Sequence, residues 1–217
     1  MSLRHILLIA SLFLQAGNVH AVEAQTLAQI ESTAAKEASR EDNARFYLSG
    51  ENLRSTALQA ADNDLRIFVE GILRPDATEG STAIAKQLNI AALKNAVTGY
   101  EDALNSLLVT PGLDDAKRKL KAATDTARQR ITALDKETAS FARLSEKDAQ
   151  KRLPQRLSAV METRGALFKL RMAAEVCRSQ TENLALDSGR AADAARRQLL
   201  LIKPPAAAKP ALPPPTR

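Results

Sequence analysis

The stretch at residues 90–107, IAALKNAVTGYEDALNSL, decides the fold class, because its apolar residues recur at alternating steps of three and four. The series consists of Ile90, Leu93, Val97, Tyr100, Leu104 and Leu107. This spacing places all six side chains on one stripe of a helix. The stretch therefore predicts an amphipathic helix that packs against other helices.

Other parts of the chain carry stripes of the same kind. They are Leu58, Ala61, Leu65, Phe68 and Ile72; Leu113, Leu120, Ala127, Leu134 and Phe141; and Val160, Leu167, Leu170, Ala174, Cys177, Thr181 and Leu184. The 40 alanines favour helix, and the 8 glycines are too few for a turn-rich β protein. We predict an all-α, elongated, antiparallel and coiled-coil-like bundle of five helices, at about 25–48, 51–73, 82–109, 112–144 and 146–202.

Turn and cap residues set the predicted helix ends. Gly50 suits the cap after the first helix. Thr110 reads as the N-cap of the fourth helix, with Pro111 at its first position. Ser145 with Asp148 resembles a capping box at the start of the last helix. We expect that last helix to kink at its internal proline, and either to project beyond the bundle or to break at 187–189.

The two ends of the chain have compositions of their own. Residues 1–21 read as a secretory signal peptide with an apolar run at 6–14, and cleavage is expected after Ala21 or Ala24. The protein is thus expected in the periplasm or outside the cell. Residues 203–217, KPPAAAKPALPPPTR, read as a disordered, extended tail that is a spacer, a docking strip or a frayed end. Residues 22–202 form the predicted bundle domain.

Residue usage argues against an enzyme. Both histidines, His5 and His20, lie in the predicted signal peptide, which excludes histidine-based catalysis and histidine-held zinc or haem from the remainder. Cys177 is the single cysteine, so an intrachain disulfide is excluded. No glycine-rich phosphate loop is present. We predict a protein that is not an enzyme, with no catalytic, metal-binding or cofactor-binding residues and no cofactor.

Charge is shared unevenly along the chain. Residues 25–110 carry 8 Lys/Arg against 12 Asp/Glu, and residues 111–217 carry 22 against 12. The first part is therefore acidic and the second basic, an asymmetry that favours self-association into a homo-oligomer. For an exported protein, the basic part indicates an anionic lipid, a cell-wall polymer or an acidic protein as partner, and not nucleic acid.

Three sets of cationic residues and one thiol are candidate binding residues. The basic patches are Lys117, Arg118, Lys119 and Lys121, and Lys147, Lys151, Arg152 and Arg156. Arg164, Arg171 and Arg178 recur every seven residues, so they either dock an acidic partner or pair with carboxylates of a neighbouring helix. Cys177 either forms an intermolecular disulfide or is a small buried core residue.

These features predict an exported, non-enzymatic helical binding or scaffold protein that acts on another envelope protein. One alternative is a periplasmic chaperone-like or anionic-surface binder that uses its basic C-terminal half. Another is a structural subunit of a secretion or conjugation assembly, for which self-association would be the sign. The sequence does not name the partner.

Overall fold

The computed structural model describes residues 3–73, 88–107 and 110–202, with side chains from residue 26 onward. Five helices span these residues: α1 (Leu3–Ser49), α2 (Glu51–Leu73), α3 (Ile90–Leu107), α4 (Asp114–Phe141) and α5 (Glu146–Ile202). Within these ranges there is no strand, and the predicted all-α helical bundle is confirmed. The side chains of the predicted signal peptide, residues 82–87 of the predicted third helix and the predicted tail lie outside the described residues.

The chain forms two compact units. One comprises residues 42–185, and the other combines residues 1–41 with residues 186–217. In the first of these units, packed helices are antiparallel, since a residue later in one helix contacts a residue earlier in its neighbour. The pairs Lys94–Asp135 and Glu101–Arg128 join α3 to α4, Arg130–Glu162 joins α4 to α5, and Asp62–Arg164 joins α2 to α5.

The core of this unit is built from the predicted stripes. All five stripe residues of α2 are buried, as are those of α4, and the α5 stripe is buried from Val160 to Thr181. In the deciding stretch, Leu104 is partly exposed and the other five stripe residues are buried. Burying such side chains is the main force that holds helices with these stripes together, at roughly 1.5–3 kcal/mol for each large one.

The helix starts follow local chemistry, and one of them corrects the prediction. Gly112 adopts a φ of 94°, which a side chain disfavours, so α4 begins only at Asp114 with Leu113 as its N-cap. Thr110 is buried in the preceding turn, where it does not cap α4. At α5 the N-cap half of the capping box is present, because the Asp148 amide donates to Ser145 Oγ at 3.2 Å, while the Asp148 carboxylate accepts from the Ser145 hydroxyl at 2.7 Å.

The helix α5 continues without interruption through Pro154 and through 187–189, so the break considered there is absent. In the unit formed by residues 1–41 and 186–217, a Cβ added at Gly189 would lie 3.1 Å from the carboxylate of Glu41. Ala34, Ala192 and Ala195 are buried in the same unit. The pattern weakens at 187–189 because small residues allow close packing there, and not because the helix ends.

Candidate functional site

Five residues form a buried polar cluster at the end of α1: Tyr47, Glu51, Arg54, Tyr100 and Cys177. The Glu51 carboxylate accepts hydrogen bonds from Arg54 Nη2 at 3.0 Å and from the Tyr100 hydroxyl at 3.1 Å. Arg54 Nη2 also donates to the Tyr47 carbonyl oxygen at 2.6 Å, and the Arg54 Cζ lies 4.6 Å from the centroid of the Tyr47 ring. One guanidinium thus satisfies both a buried carboxylate and a carbonyl in the last turn of α1.

The reactive groups of this cluster are held in their protonated forms. Burial raises the pKa of Tyr47, of Tyr100 and of the Cys177 thiol. A protonated thiol is a poor nucleophile, and the pKa of the Cys177 thiol is raised by burial. Cys177 is also fully buried, which agrees with a core role and places its sulfur out of reach of a second chain. The intermolecular disulfide considered from the sequence does not fit this position.

Arg156 does not belong to the basic patch in which the sequence placed it. Its side chain is completely buried, with Cζ 5.6 Å from the ring centroid of Phe68 and 5.4 Å from that of Phe141. The guanidinium donates to the Glu137 carboxylate and, at 2.7 Å, to Thr138 Oγ1. Two aromatic faces and two oxygen acceptors replace water around this charge, which is why it lies in the core.

Each cation of the first basic patch pairs with a carboxylate of its own helix. Arg118 and Lys119 both pair with Asp115, and Lys121 pairs with Asp125 at 2.8 Å. The Lys117 side chain is only 11% exposed, and its Nζ lies 3.1 Å from Asp114 and donates to the Thr110 carbonyl oxygen at 3.0 Å. These lysines and arginines therefore serve the start of α4, where the carboxylates also meet the helix dipole.

The three arginines spaced by seven have different environments. Arg164 pairs with Asp62 of α2, as interhelical pairing requires. Arg178 pairs with Glu175 and Glu182 of its own helix. Arg171 is exposed and forms no ion pair within the described ranges. A continuous row of available guanidinium groups is therefore not present, and only Arg171 is available to a partner.

The main exposed feature of α5 is an apolar stripe that the sequence reasoning missed. Met161, Phe168, Met172 and Val176 are exposed by 50%, 63%, 51% and 41%, and Gly165 lies between the first two. Helical periodicity places them on the side of α5 opposite the buried Leu167 and Leu170 stripe. The signal was available, because the steps 161, 165, 168, 172 alternate between four and three like those of a core stripe. We call Met161, Gly165, Phe168, Met172 and Val176 the outer stripe.

Exposed cations flank the outer stripe. Lys147 and Lys151 continue its spacing toward the start of α5, while Lys169 and Arg171 flank Phe168. All four are exposed, and none forms an ion pair with another described residue. The nearby acids are already engaged, Glu162 by Arg130 and Glu175 by Arg178. Arg152 from the same predicted patch instead lies 3.5 Å from Ser140 Oγ, at the end of α4.

Neither a metal site, nor a membrane span, nor a similar protein identifies another functional site in the described residues. Among the residues with described side chains, no group of three or more histidine, cysteine, aspartate or glutamate residues could hold a metal ion. In the part of the chain that the structure describes, none of the helices is long and apolar enough to span a membrane. The chain matches no family model, no curated protein and no solved structure.

Proposed function

We propose that this chain is a non-enzymatic binding or scaffold protein of the bacterial cell envelope, and that its outer stripe docks an amphipathic helix of another envelope protein. The observation that carries the proposal is the exposed apolar stripe on α5, opposite the side that already packs into the core. A helix with apolar stripes on two opposite sides is suited to packing on both sides.

The side chains of the outer stripe suit a helix as the partner. Methionine adapts its shape to different partners, and two of the four exposed side chains are methionine. Phe168 offers a projecting ring, and the space over Gly165 is empty, with nothing within 4 Å of an added Cβ. Residues 161–176 extend over about 22 Å, the length of roughly two heptads of a partner helix.

The partner helix is expected to carry acidic residues beside its apolar stripe. Lys169 and Arg171 lie beside Phe168 and are exposed, and neither forms an ion pair with a described residue, so carboxylates of a partner could approach them without breaking one. Such charges guide encounter and select the partner, whereas apolar contact supplies most of the affinity. The proposal includes export of the chain, which the signal-like residues 1–21 support.

A second candidate function is binding to an anionic lipid surface, and the unpaired cations support it. Lys147 and Lys151 lie on the same side of α5 as Met161 and Phe168, and apolar residues with lysine beside them can lie in a membrane interface. This alternative keeps the basic C-terminal half as the functional surface. It differs in its partner and in its dependence on salt.

The test is a pull-down from envelope extract with residues 22–217 as bait, at about 0.15 M salt and at several times that concentration. Phe168→Glu places a charge in the outer stripe, and Leu73→Glu is a matched control because Leu73 is equally exposed at 64%. We expect one protein to be retained at both salt concentrations by the wild type and by Leu73→Glu, and lost by Phe168→Glu.

Other outcomes decide between the candidates. A partner that Phe168→Glu retains as well as the wild type would overturn the proposed docking surface. Recovery of lipid alone, with loss of binding at high salt, would favour the lipid surface over the helix partner. In that case the chain should also fail to bind vesicles that lack anionic lipid. Circular dichroism of both variants establishes that the fold is intact.

A further inference from the structure

A second exposed apolar stripe runs along the end of α1 and along α2. Phe46, Leu53 and Ile67 are exposed by 70%, 79% and 54%, and with the exposed Ala60 they recur every seven residues. Phe46 lies in the last turn of α1, and the other three lie on α2, which begins at Glu51 with the Arg54 amide donating to the Gly50 carbonyl oxygen at 3.2 Å. We call Phe46, Leu53, Ala60 and Ile67 the α2 stripe.

The α2 stripe has acidic neighbours where the outer stripe has basic ones. Asp42 precedes Phe46 by four residues, and Asp64 precedes Ile67 by three, so both lie close to the stripe. Both are exposed, and neither forms an ion pair with a described residue. The unit made of residues 42–185 therefore presents two apolar helix surfaces, one with free carboxylates and one with free cations.

We infer that the protein self-associates head to tail, with the α2 stripe of one copy packed on the outer stripe of a second copy. The two surfaces match in character, because both are apolar, both have heptad-like spacing, and their unpaired charges are opposite in sign. Two copies of the outer stripe would instead bring Lys169 and Arg171 against the same cations, and like charges oppose that arrangement.

The inference rests on the proposed function in that it uses the same outer stripe. A contact between two different surfaces is heterologous, so it leaves one free surface at each end and allows further copies to add. A partner helix on the outer stripe then competes with the second copy. Self-association thereby becomes a regulator, since the docked partner and the oligomer exclude one another at each outer stripe.

The test is sedimentation velocity of residues 22–217 between about 1 and 100 μM, the range of micromolar self-association. Two variants each disable one surface: Leu53→Glu in the α2 stripe and Phe168→Glu in the outer stripe. We expect the wild type to form species larger than a dimer as its concentration rises, and each variant alone to stay monomeric. An equal mixture of the two variants should form a heterodimer that does not grow, because only one productive pair of surfaces remains.

Several results would overturn the inference. A wild type that stays monomeric throughout would do so, as would Leu53→Glu that associates like the wild type. Thermal melts of both variants must match the wild type, and Phe46→Glu serves in place of Leu53→Glu if that variant is unfolded. Failure of self-association would leave the pull-down result on Phe168→Glu untouched, so the two proposals fail separately.

Discussion

The hydroxyl of Tyr100 in α3 donates a 3.1 Å hydrogen bond to the carboxylate of Glu51, the first residue of α2. The same carboxylate pairs with Arg54, whose guanidinium also holds the end of α1. A buried charge needs such complete satisfaction, because an unpaired one is costly to remove from water. The hydrogen bond therefore couples α3 to the junction between the first two helices.

Removing that hydroxyl is expected to destabilise the protein. Tyr100→Phe leaves the buried Glu51 carboxylate without one of its donors, and we expect the free energy of unfolding to fall by about 1–3 kcal/mol. Tyr47→Phe is the matched control, because the buried Tyr47 hydroxyl has no hydrogen bond within normal geometry and only the Cys177 sulfur beside it. This control should change stability by less than about 0.5 kcal/mol. Urea titrations followed by circular dichroism measure both, and equal losses would contradict the assigned role.

Alkaline pH should destabilise the same region. Burial raises the pKa of Tyr47 and Tyr100, so the folded state holds these protons more tightly than the unfolded state does. Their contribution is therefore complete below the unfolded tyrosine pKa of about 10 and is lost as pH rises above it. Melting temperatures from pH 7 to about 11 test this. The double variant Tyr47→Phe/Tyr100→Phe should lose less over that range than the wild type, since lysine titration is common to both, and parallel curves would refute the assignment.

The sequence predicted the core of the bundle well because each helix repeats its apolar residues at a constant spacing. The stripe from Ile90 to Leu107 lies within one helix, but that helix begins only at Ile90, because residues 88 and 89 of the helix predicted at 82–109 are not helical. The predicted start of the next helix was wrong because of Gly112. Its left-handed φ interrupts the helical backbone there, although Pro111 beside it favours a helix start. Such backbone conformations follow from packing of the surrounding turn, which periodicity does not describe.

The candidate site was harder to predict, for a related reason. Arg156 stands four residues before Val160, in register with the buried stripe, so spacing pointed to burial while residue type pointed to the surface. Phe68 and Phe141, which make that burial tolerable, come from two other helices. The outer stripe was missed because one stripe already explained α5. A second search of each helix for apolar spacing, after the core residues are set aside, finds Met161, Phe168 and Met172.

The environment of Arg156 predicts a strong loss of stability on substitution. Arg156→Met keeps the length of the side chain but removes the cation between Phe68 and Phe141, and it leaves Glu137 and Thr138 without their donor. We expect a loss of about 2–4 kcal/mol in the free energy of unfolding, somewhat below the roughly 3–5 kcal/mol for breaking a fully buried pair because Glu137 is partly exposed. Adding Glu137→Gln should recover part of it, because a neutral amide then replaces the carboxylate that lost its partner. A double variant that is no more stable than Arg156→Met would contradict this account.

Two glycines within α5 predict different responses to the same change. Gly165 has empty space where a Cβ would stand, so Gly165→Ala gains helix propensity at no steric cost and should stabilise the protein by about 0.5–1 kcal/mol. At Gly189 the new Cβ would lie 3.1 Å from the Glu41 carboxylate, so Gly189→Ala must displace that side chain and should gain less or lose stability. Thermal melts of the two variants compare them directly, and an equal gain at both positions would show that Glu41 moves freely.

Gly165→Ala also tests the docking surface. If it weakens binding in the pull-down while it raises the melting temperature, the partner uses the empty space over Gly165, since a purely structural effect would change stability and binding in the same direction.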